Sequence, residues 1–241
     1  MVTEFQPAGI RVITCDVFGT TVDWRTGVAD QVAAIADGRA ELDAGAFTDA
    51  WRDRYRPGLL RVNRGERDWA YLDTLHRESL DELLAEFGVA DAFDEPARQR
   101  LVLTWHRLPA WEDSVDGLAR LRRRHITAAL SNGGFALLTH LVKSAGLPFD
   151  CILSAELAKM YKPAPDVYLT AARLLDVEPA EILMVAAHSW DIVGAREAGL
   201  RTAFVHRPTE KGPHRAADGP DDVTSDLSVT SFRGLADALG C

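Results

Sequence analysis

The sequence predicts an α/β fold, a doubly wound parallel sheet interrupted after its first strand by a bundle of helices. Three observations predict it. Short apolar, β-branched runs occur at 10–16 and then repeatedly from 126 onward, mostly with helical periodicity between them, and such alternation marks parallel strands joined by crossover helices. Between Thr21 and Pro109 the strand-like runs cease and only helical stripes continue. Finally, small clusters of polar residues follow several of the strand-like runs, where parallel sheets hold their ligands.

The first run, IRVITCD (10–16), places Val12, Ile13 and Cys15 before Asp16 and reads as a buried strand with Asp16 at its end. In the helical insert, Val28, Val32 and Ile35 share one face, as do Phe47, Trp51 and Tyr55. Trp69, Leu72, Leu83 and Phe87 continue the stripes, so about four helices would bury them together. Asp94, Glu95 and Pro96 signal another helix start, leading to Leu101, Val102 and Trp105. Further strands are expected at 126–131, 151–154, 181–186, 201–205 and 227–231. Gly146 and Gly199 close helices, and Pro165 suits a first helical position. The segment Pro208 to Asp222, rich in Pro, Gly and charge, is expected to be a surface loop, with FRGLADAL a closing helix.

Composition narrows the function. A chain of 241 residues, 47% hydrophobic and 26% charged, has length for a core and a smaller second unit. Its net charge of -9 disfavours a nucleic-acid partner, which needs a basic face. No apolar run reaches the ~20 residues that span a bilayer, and MVTEFQPAGIR lacks a leader pattern, so a cytoplasmic protein without a membrane partner is expected. Cys15, Cys151 and Cys241 are too scattered for a disulfide framework or metal knuckle. Cys15 lies in a strand with no adjacent base and reads as core, not as a nucleophile.

Four polar groups stand in strand-end register: Asp16 to Thr20, Ser131 to Gly134, the Tyr161-Lys162-Pro163 loop, and His188 to Asp191. An isolated Asp at a strand end is commonly only a turn residue, but four such groups together indicate a site. In this order, DVFGT, LSNGG, YKPAPDVY and HSWDIVGA resemble the motif blocks of the haloacid dehalogenase superfamily. The long YKPAPDVY block and the Trp190-Asp191 pair are more similar to its type II L-2-haloacid dehalogenases than to its phosphatases.

That resemblance implies a Rossmann-like catalytic core at 1–21 and 110–241 and an inserted helical cap at 22–109. It implies a hydrolase acting on carbon-halide bonds, which turns a small 2-halocarboxylate (haloacetate or an (S)-2-haloacid, fluoroacetate among the candidates) into the 2-hydroxy acid. Asp16 would attack C2 in line and form an ester that water then cleaves, inverting C2. Lys162 would hold Asp16 ionised; Asp191 would pair with Lys162 or orient the water. Thr20, Ser131 and Asn132 would donate to the substrate carboxylate and the leaving halide. Tyr168 would hydrogen-bond near the nucleophile and lysine; Arg52, alone among the crowded arginines from 52 to 67, would bind carboxylate or halide. Trp190 and Trp24 could wall the pocket around C2.

Phe18 is the discriminating residue. The family's phosphatases carry a second Asp there to protonate a leaving alcohol, whereas a halide departs without a proton. Val185 to His188 also lacks the extra carboxylate of a Mg²⁺ site, so neither a catalytic metal nor another cofactor is expected. The alternative is a phosphomonoesterase or phosphonate hydrolase on the same fold. Three positions depart from the dehalogenase pattern: Phe18 stands for a tyrosine, His188 for an asparagine, and Ala186 for a serine that places water. His188 could serve as base or donor in their stead, including a donor to departing fluoride. A homodimer is the base-rate assembly.

Overall fold

The computed structural model describes residues 6–241, so the first five residues of the N-terminal stretch fall outside the described part. Six parallel strands form one sheet: β1 (Val12–Cys15), β2 (Ile126–Ser131), β3 (Cys151–Ser154), β4 (Ile182–Ala186), β5 (Arg201–Val205) and β6 (Leu227–Val229). Their spatial order is β3-β2-β1-β4-β5-β6. The chain therefore winds outward in one direction from β1 and in the other from β4, and the crevice at their carboxyl ends is where such sheets bind ligands. β1 and β4 are buried throughout, which explains their apolar runs without alternation.

Five helices lie between β1 and the last crossover into β2: α1 (Trp24–Ala36), α2 (Ala44–Asp53), α3 (Tyr55–Asn63), α4 (Leu72–Glu86) and α5 (Glu95–Val102). Local chemistry sets their starts. The side chains of Asp23, Asp43 and Asp94 accept from Thr26 N, Ala46 N and Ala97 N, satisfying amides that a helix start leaves free. The stripes ahead of Phe87 are buried by four helices, as expected, and α5 begins at the Asp94 start, while the α2–α3 run breaks at Arg54. Pro57 has no N–H to offer the Asp53 carbonyl and its ring crowds that turn, so the break falls just ahead of it. Trp69 lies in a loop instead of a helix, and Phe87 is exposed at the end of α4, though its ring packs edge-on to Phe47 at 5.2 Å.

The remaining helices are α6 (Ser114–Leu121), α7 (Phe135–Ala145), α8 (Pro165–Leu175), α9 (Ser189–Glu197) and α10 (Phe232–Ala238). Gly146 ends α7 in the left-handed conformation at φ 65°, and Pro165 begins α8. Among the described residues, no helix is long and apolar enough to cross a membrane. All three cysteines are free.

Pro208 to Asp222 corrects the expectation of a surface loop. Part of it runs inward: Glu210 is 1% exposed, while Lys211 pairs with Asp218 at 2.7 Å. Just before it, buried Arg207 holds Asp113 through Nη1 and Nη2 and donates from Nε to the Thr20 carbonyl at 3.1 Å. This anchor ties the end of β5 to the turn after β1 and delivers Glu210 to the β1/β4 crevice.

Candidate active site

Asp16 follows β1 directly, and its backbone amide continues the ladder to Val185 O, so its position is fixed by the sheet. The turn that follows folds back tightly, with Thr21 N and Val22 N both donating to Val17 O. Gly19 makes it feasible: its φ is +88°, and a Cβ there would lie 2.3 Å from Glu210 Oε1. The turn also carries Thr20, whose hydroxyl donates to Asp16 Oδ2 at 3.0 Å and accepts from Ala187 N at 2.9 Å. Phe18 is buried, packed edge-on against Trp105 at 6.0 Å, and offers Asp16 no proton.

On the Oδ1 side stands Lys162, wholly buried. Its Nζ donates to Asp16 Oδ1 at 2.9 Å and to Asp191 Oδ2 at 2.5 Å. Asn132 fixes this lysine through its backbone: Asn132 Oδ1 accepts from Lys162 N at 2.7 Å, and Nδ2 reaches Lys162 O at 3.4 Å. The Asn132 amide is thus engaged in holding Lys162, whereas the sequence had suggested a donor to substrate. Ser131 Oγ accepts from Gly133 N at 3.3 Å, shaping the same loop and keeping its own proton free to donate. Tyr168 meets neither Asp16 nor Lys162; its hydroxyl donates to Asp191 Oδ1 at 2.6 Å. Asp191 does not cap α9, because Asp218 accepts from Ser189 N in that role.

On the Oδ2 side, His188 bridges two carboxylates. Nδ1 is 3.2 Å from Asp16 Oδ2 and Nε2 is 2.9 Å from Glu210 Oε1, which also accepts from the Trp24 indole at 2.7 Å. Both ring nitrogens are therefore taken, which leaves His188 no free N–H for a departing fluoride. Glu210 is the site residue that the sequence did not disclose. Its one signal was that it follows shortly after β5, beyond a carboxyl strand end beside β4; nothing in its spacing linked it to Asp16.

The charges follow from this layout. Burial opposes ionisation of Asp16, but Lys162 and His188 together hold its carboxyl well below the usual range. Lys162, disfavoured by burial yet flanked by Asp16 and Asp191, is pushed up to about 12. Burial likewise opposes a charged His188, but Glu210 and Asp16 prevail and raise it to about 10, so at neutral pH it is an imidazolium. Burial would raise Glu210, yet His188 outweighs it and keeps it low. Asp191 is raised, by burial and by Asp16 nearby, against the pull of Lys162. Cys15 is raised by burial and remains an inert thiol.

A cavity of about 220 Å³ borders His188 and Glu210, the two groups beyond Asp16 Oδ2, and is lined also by Trp24, Arg52, Tyr55 and Trp190, while Asp16 itself does not line it. The Arg52 guanidinium stacks over Tyr55 at 4.2 Å and Trp24 at 4.9 Å, and its buried Nη1 has no hydrogen-bond partner. A buried, unpaired cationic donor calls for an anion. Arg56, one helical turn on, also borders the cavity and lies 5.2 Å from the Trp190 ring, a second arginine that sequence reasoning set aside. Arg54 and Arg67 turn outward to Glu86 and Glu78.

The family model for haloacid dehalogenase-like hydrolases matches residues 10–199. The chain is 32% identical to (S)-2-haloacid dehalogenase 1 of Pseudomonas sp. (strain CBS-3) over 204 residues, 82% of this chain and 85% of that one. Among solved structures, a defluorinating L-2-haloacid dehalogenase superposes with a TM-score of 0.92 at 39% identity, covering 99% of this chain and 100% of the other. The L-2-haloacid dehalogenase from Xanthobacter autotrophicus with chloropropionic acid covalently bound superposes with a TM-score of 0.81 at 26% identity, covering 96% and 98%.

Proposed function

The chain belongs to the haloacid dehalogenase-like hydrolases, and on that premise we propose that it is a hydrolytic 2-haloacid dehalogenase in which Asp16 displaces halide from a short 2-halocarboxylate. The observation that carries this reading is the state of Asp16. It is a buried carboxylate kept ionised by Lys162 and His188, beside a cavity with an unpaired arginine, with Phe18 in place of an acid. An ionised carboxylate is the nucleophile that in-line displacement needs. Halide leaves as a stable anion, so the absence of an acid at position 18 costs nothing.

In this reading Arg52 Nη1 takes the substrate carboxylate or the halide, and Trp24 and Trp190 flank C2. Lys162 balances Asp16 and Asp191, Thr20 orients Asp16 Oδ2, and Tyr168 steadies Asp191. Ser131 and Asn132 hold the loop that presents Lys162. The helices from Trp24 to Val102 make up the inserted cap, 22–109, over a core of 1–21 and 110–241. The similarity to a defluorinating L-2-haloacid dehalogenase supports fluoroacetate as a substrate here, with Arg52 as the free donor to fluoride. Free cysteines suit a cytoplasmic setting. A homodimer is the assembly to check by light scattering.

The deciding experiment measures halide release from fluoro-, chloro- and bromoacetate and from both 2-chloropropionates, with Asp16→Asn as control. Release from the wild type and none from the variant is expected; silence with every substrate sinks the assignment. The competing phosphatase reading predicts Mg²⁺-dependent phosphate release from simple phosphoesters. The cationic His188 at Asp16 Oδ2 disfavours it, since a divalent ion would need that same oxygen region.

A further inference from the structure

We propose that His188, steered by Glu210, is the base that takes a proton from the water cleaving the Asp16 ester, and that the net proton of the reaction leaves from His188 between the two steps. The proposal rests on the dehalogenase reading above and concerns its second half.

The other polar groups that touch Asp16 or Lys162 are engaged in hydrogen bonds. Asp191 accepts from Lys162 on one oxygen and from Tyr168 on the other. Asn132 is spent on the Lys162 backbone, and Thr20 Oγ accepts from Ala187 N. Ala186, fully buried, has no hydroxyl to place water. His188 remains, with Nδ1 beside the Asp16 carboxyl group and its ring on the cavity.

Glu210 gives the histidine its direction. It fixes Nε2 as a donor, so only Nδ1 can turn basic, the arrangement of a carboxylate that orients an imidazole. Its partner oxygen, Oε2, is buried and has no hydrogen-bond partner, so charge remains on Glu210 to stabilise a returning imidazolium. Gly19 shows the cost of bringing this side chain in, since no Cβ would fit there.

The charge on Asp16 then sets the state of His188. The groups facing the imidazole are Asp16 from the end of β1, Glu210 from the segment after β5, and the Trp190 ring at 5.6 Å on α9. Other charges on the same cavity are Arg52, Asp53, Arg56, Lys211, Arg215 and Asp218. In the first step an Asp16 oxygen bonds to C2 while the carbon-halogen bond breaks and halide leaves with the electron pair. The ester is uncharged, so His188 loses Asp16's share of the attraction that holds its proton and keeps the larger share from Glu210, while burial favours the neutral ring; in the proposed step that proton passes to solvent. In the second step, water oxygen bonds to Asp16 Cγ and one water proton passes to Nδ1. The bond from Cγ to the ester oxygen then breaks, and the departing alkoxide takes the second proton as the 2-hydroxy acid. Asp16 and the imidazolium are restored, and the sum is substrate plus water giving hydroxy acid, halide and one proton.

The test is rapid-quench halide release from (S)-2-chloropropionate combined with intact-protein mass. His188→Asn should release about one halide per active site in a burst. It should then carry the ester on Asp16 and turn over slower by about 10²–10⁴, the usual worth of a general base. Glu210→Gln should shift in the same direction by about tenfold, and its burst shows that the folded site still performs the first step. Turnover of His188→Asn within about twofold of wild type would overturn the proposal. So would an ester that accumulates in Asp191→Asn but not in His188→Asn, or loss of the burst from both His188→Asn and Glu210→Gln with native circular dichroism. Failure of the dehalogenase reading looks different, as no halide from the wild type.

Discussion

The two oxygens of Asp16 face unlike halves of the site. On the Oδ1 side, Lys162, Asp191 and Tyr168 form a closed chain in which each charged or hydroxyl atom has a partner and none is exposed. On the Oδ2 side, His188, Glu210, Trp24 and Arg52 border a cavity, and two of their polar atoms, Glu210 Oε2 and Arg52 Nη1, are buried without partners. The closed half sets a charge and holds it. The open half has unmet valences, which is what binding and proton movement require.

The closed half should be the more costly to disturb. Removing one partner of a buried ion pair strands the other, typically at about 3–5 kcal/mol. Lys162→Met strands two carboxylates, Asp16 and Asp191, so we expect a loss of stability of at least that order by urea unfolding, together with loss of the halide burst. Unchanged stability would show that one of the aspartates is neutral in the folded protein.

In the open half, Arg52→Ala should leave the fold intact and act on substrate. A hydrogen bond to a charged group is worth about 1.5–3 kcal/mol, so kcat/KM for 2-chloropropionate should fall by about 10- to 100-fold with little change in melting temperature. Arg56, exposed at the same cavity, should matter less, and Arg56→Ala serves as the comparison.

The boundary between the halves titrates through His188. In the resting enzyme its imidazolium offsets the negative charges of Asp16 and Glu210, which would repel an anionic substrate, so kcat/KM should fall as pH rises past about 10, and His188→Asn should lack this limb. Stability carries the same sign. The folded protein raises the histidine's pKa, so its contribution is complete below the unfolded value of about 6.5 and is lost as pH rises through about 10. Denaturant midpoints from pH 6 to 10.5 should therefore decline more steeply for wild type than for His188→Asn.

The two halves were also unequally legible in sequence. Asp16, Lys162 and Asp191 sit in blocks whose residue order resembles a known family, and strand-end position picked them out independently. The sheet was readable for a related reason: β1 and β4 are buried on both faces and carry mostly apolar runs, interrupted in β1 only by the buried Thr14. Glu210 was not readable. It lies in a polar stretch whose composition matches a surface loop, and its burial depends on the Arg207–Asp113 pair and on Gly19 leaving room, contacts between residues far apart in the chain. Arg56 was hidden because Pro57 and Gly58 obscure the helical register after Arg52, although both arginines border the cavity from the two sides of the α2–α3 break. Local pattern reports burial and periodicity; it does not report which distant side chain fills a gap.

The smallest effect is expected where the closed half has redundancy. Tyr168→Phe removes one donor to Asp191 Oδ1 and leaves Lys162 on Oδ2, so the carboxylate keeps its counter-charge. A cost of about 1.5–3 kcal/mol in unfolding is expected for the lost hydrogen bond to a buried charged group. Because Tyr168 reaches Asp16 only through Asp191 and Lys162, the burst of halide should persist at full amplitude with its rate lowered a fewfold. A rate unchanged alongside a clear loss of stability would confine Tyr168 to packing, whereas a lost burst would mean that the closed half transmits position to Asp16 more rigidly than its paired charges alone require.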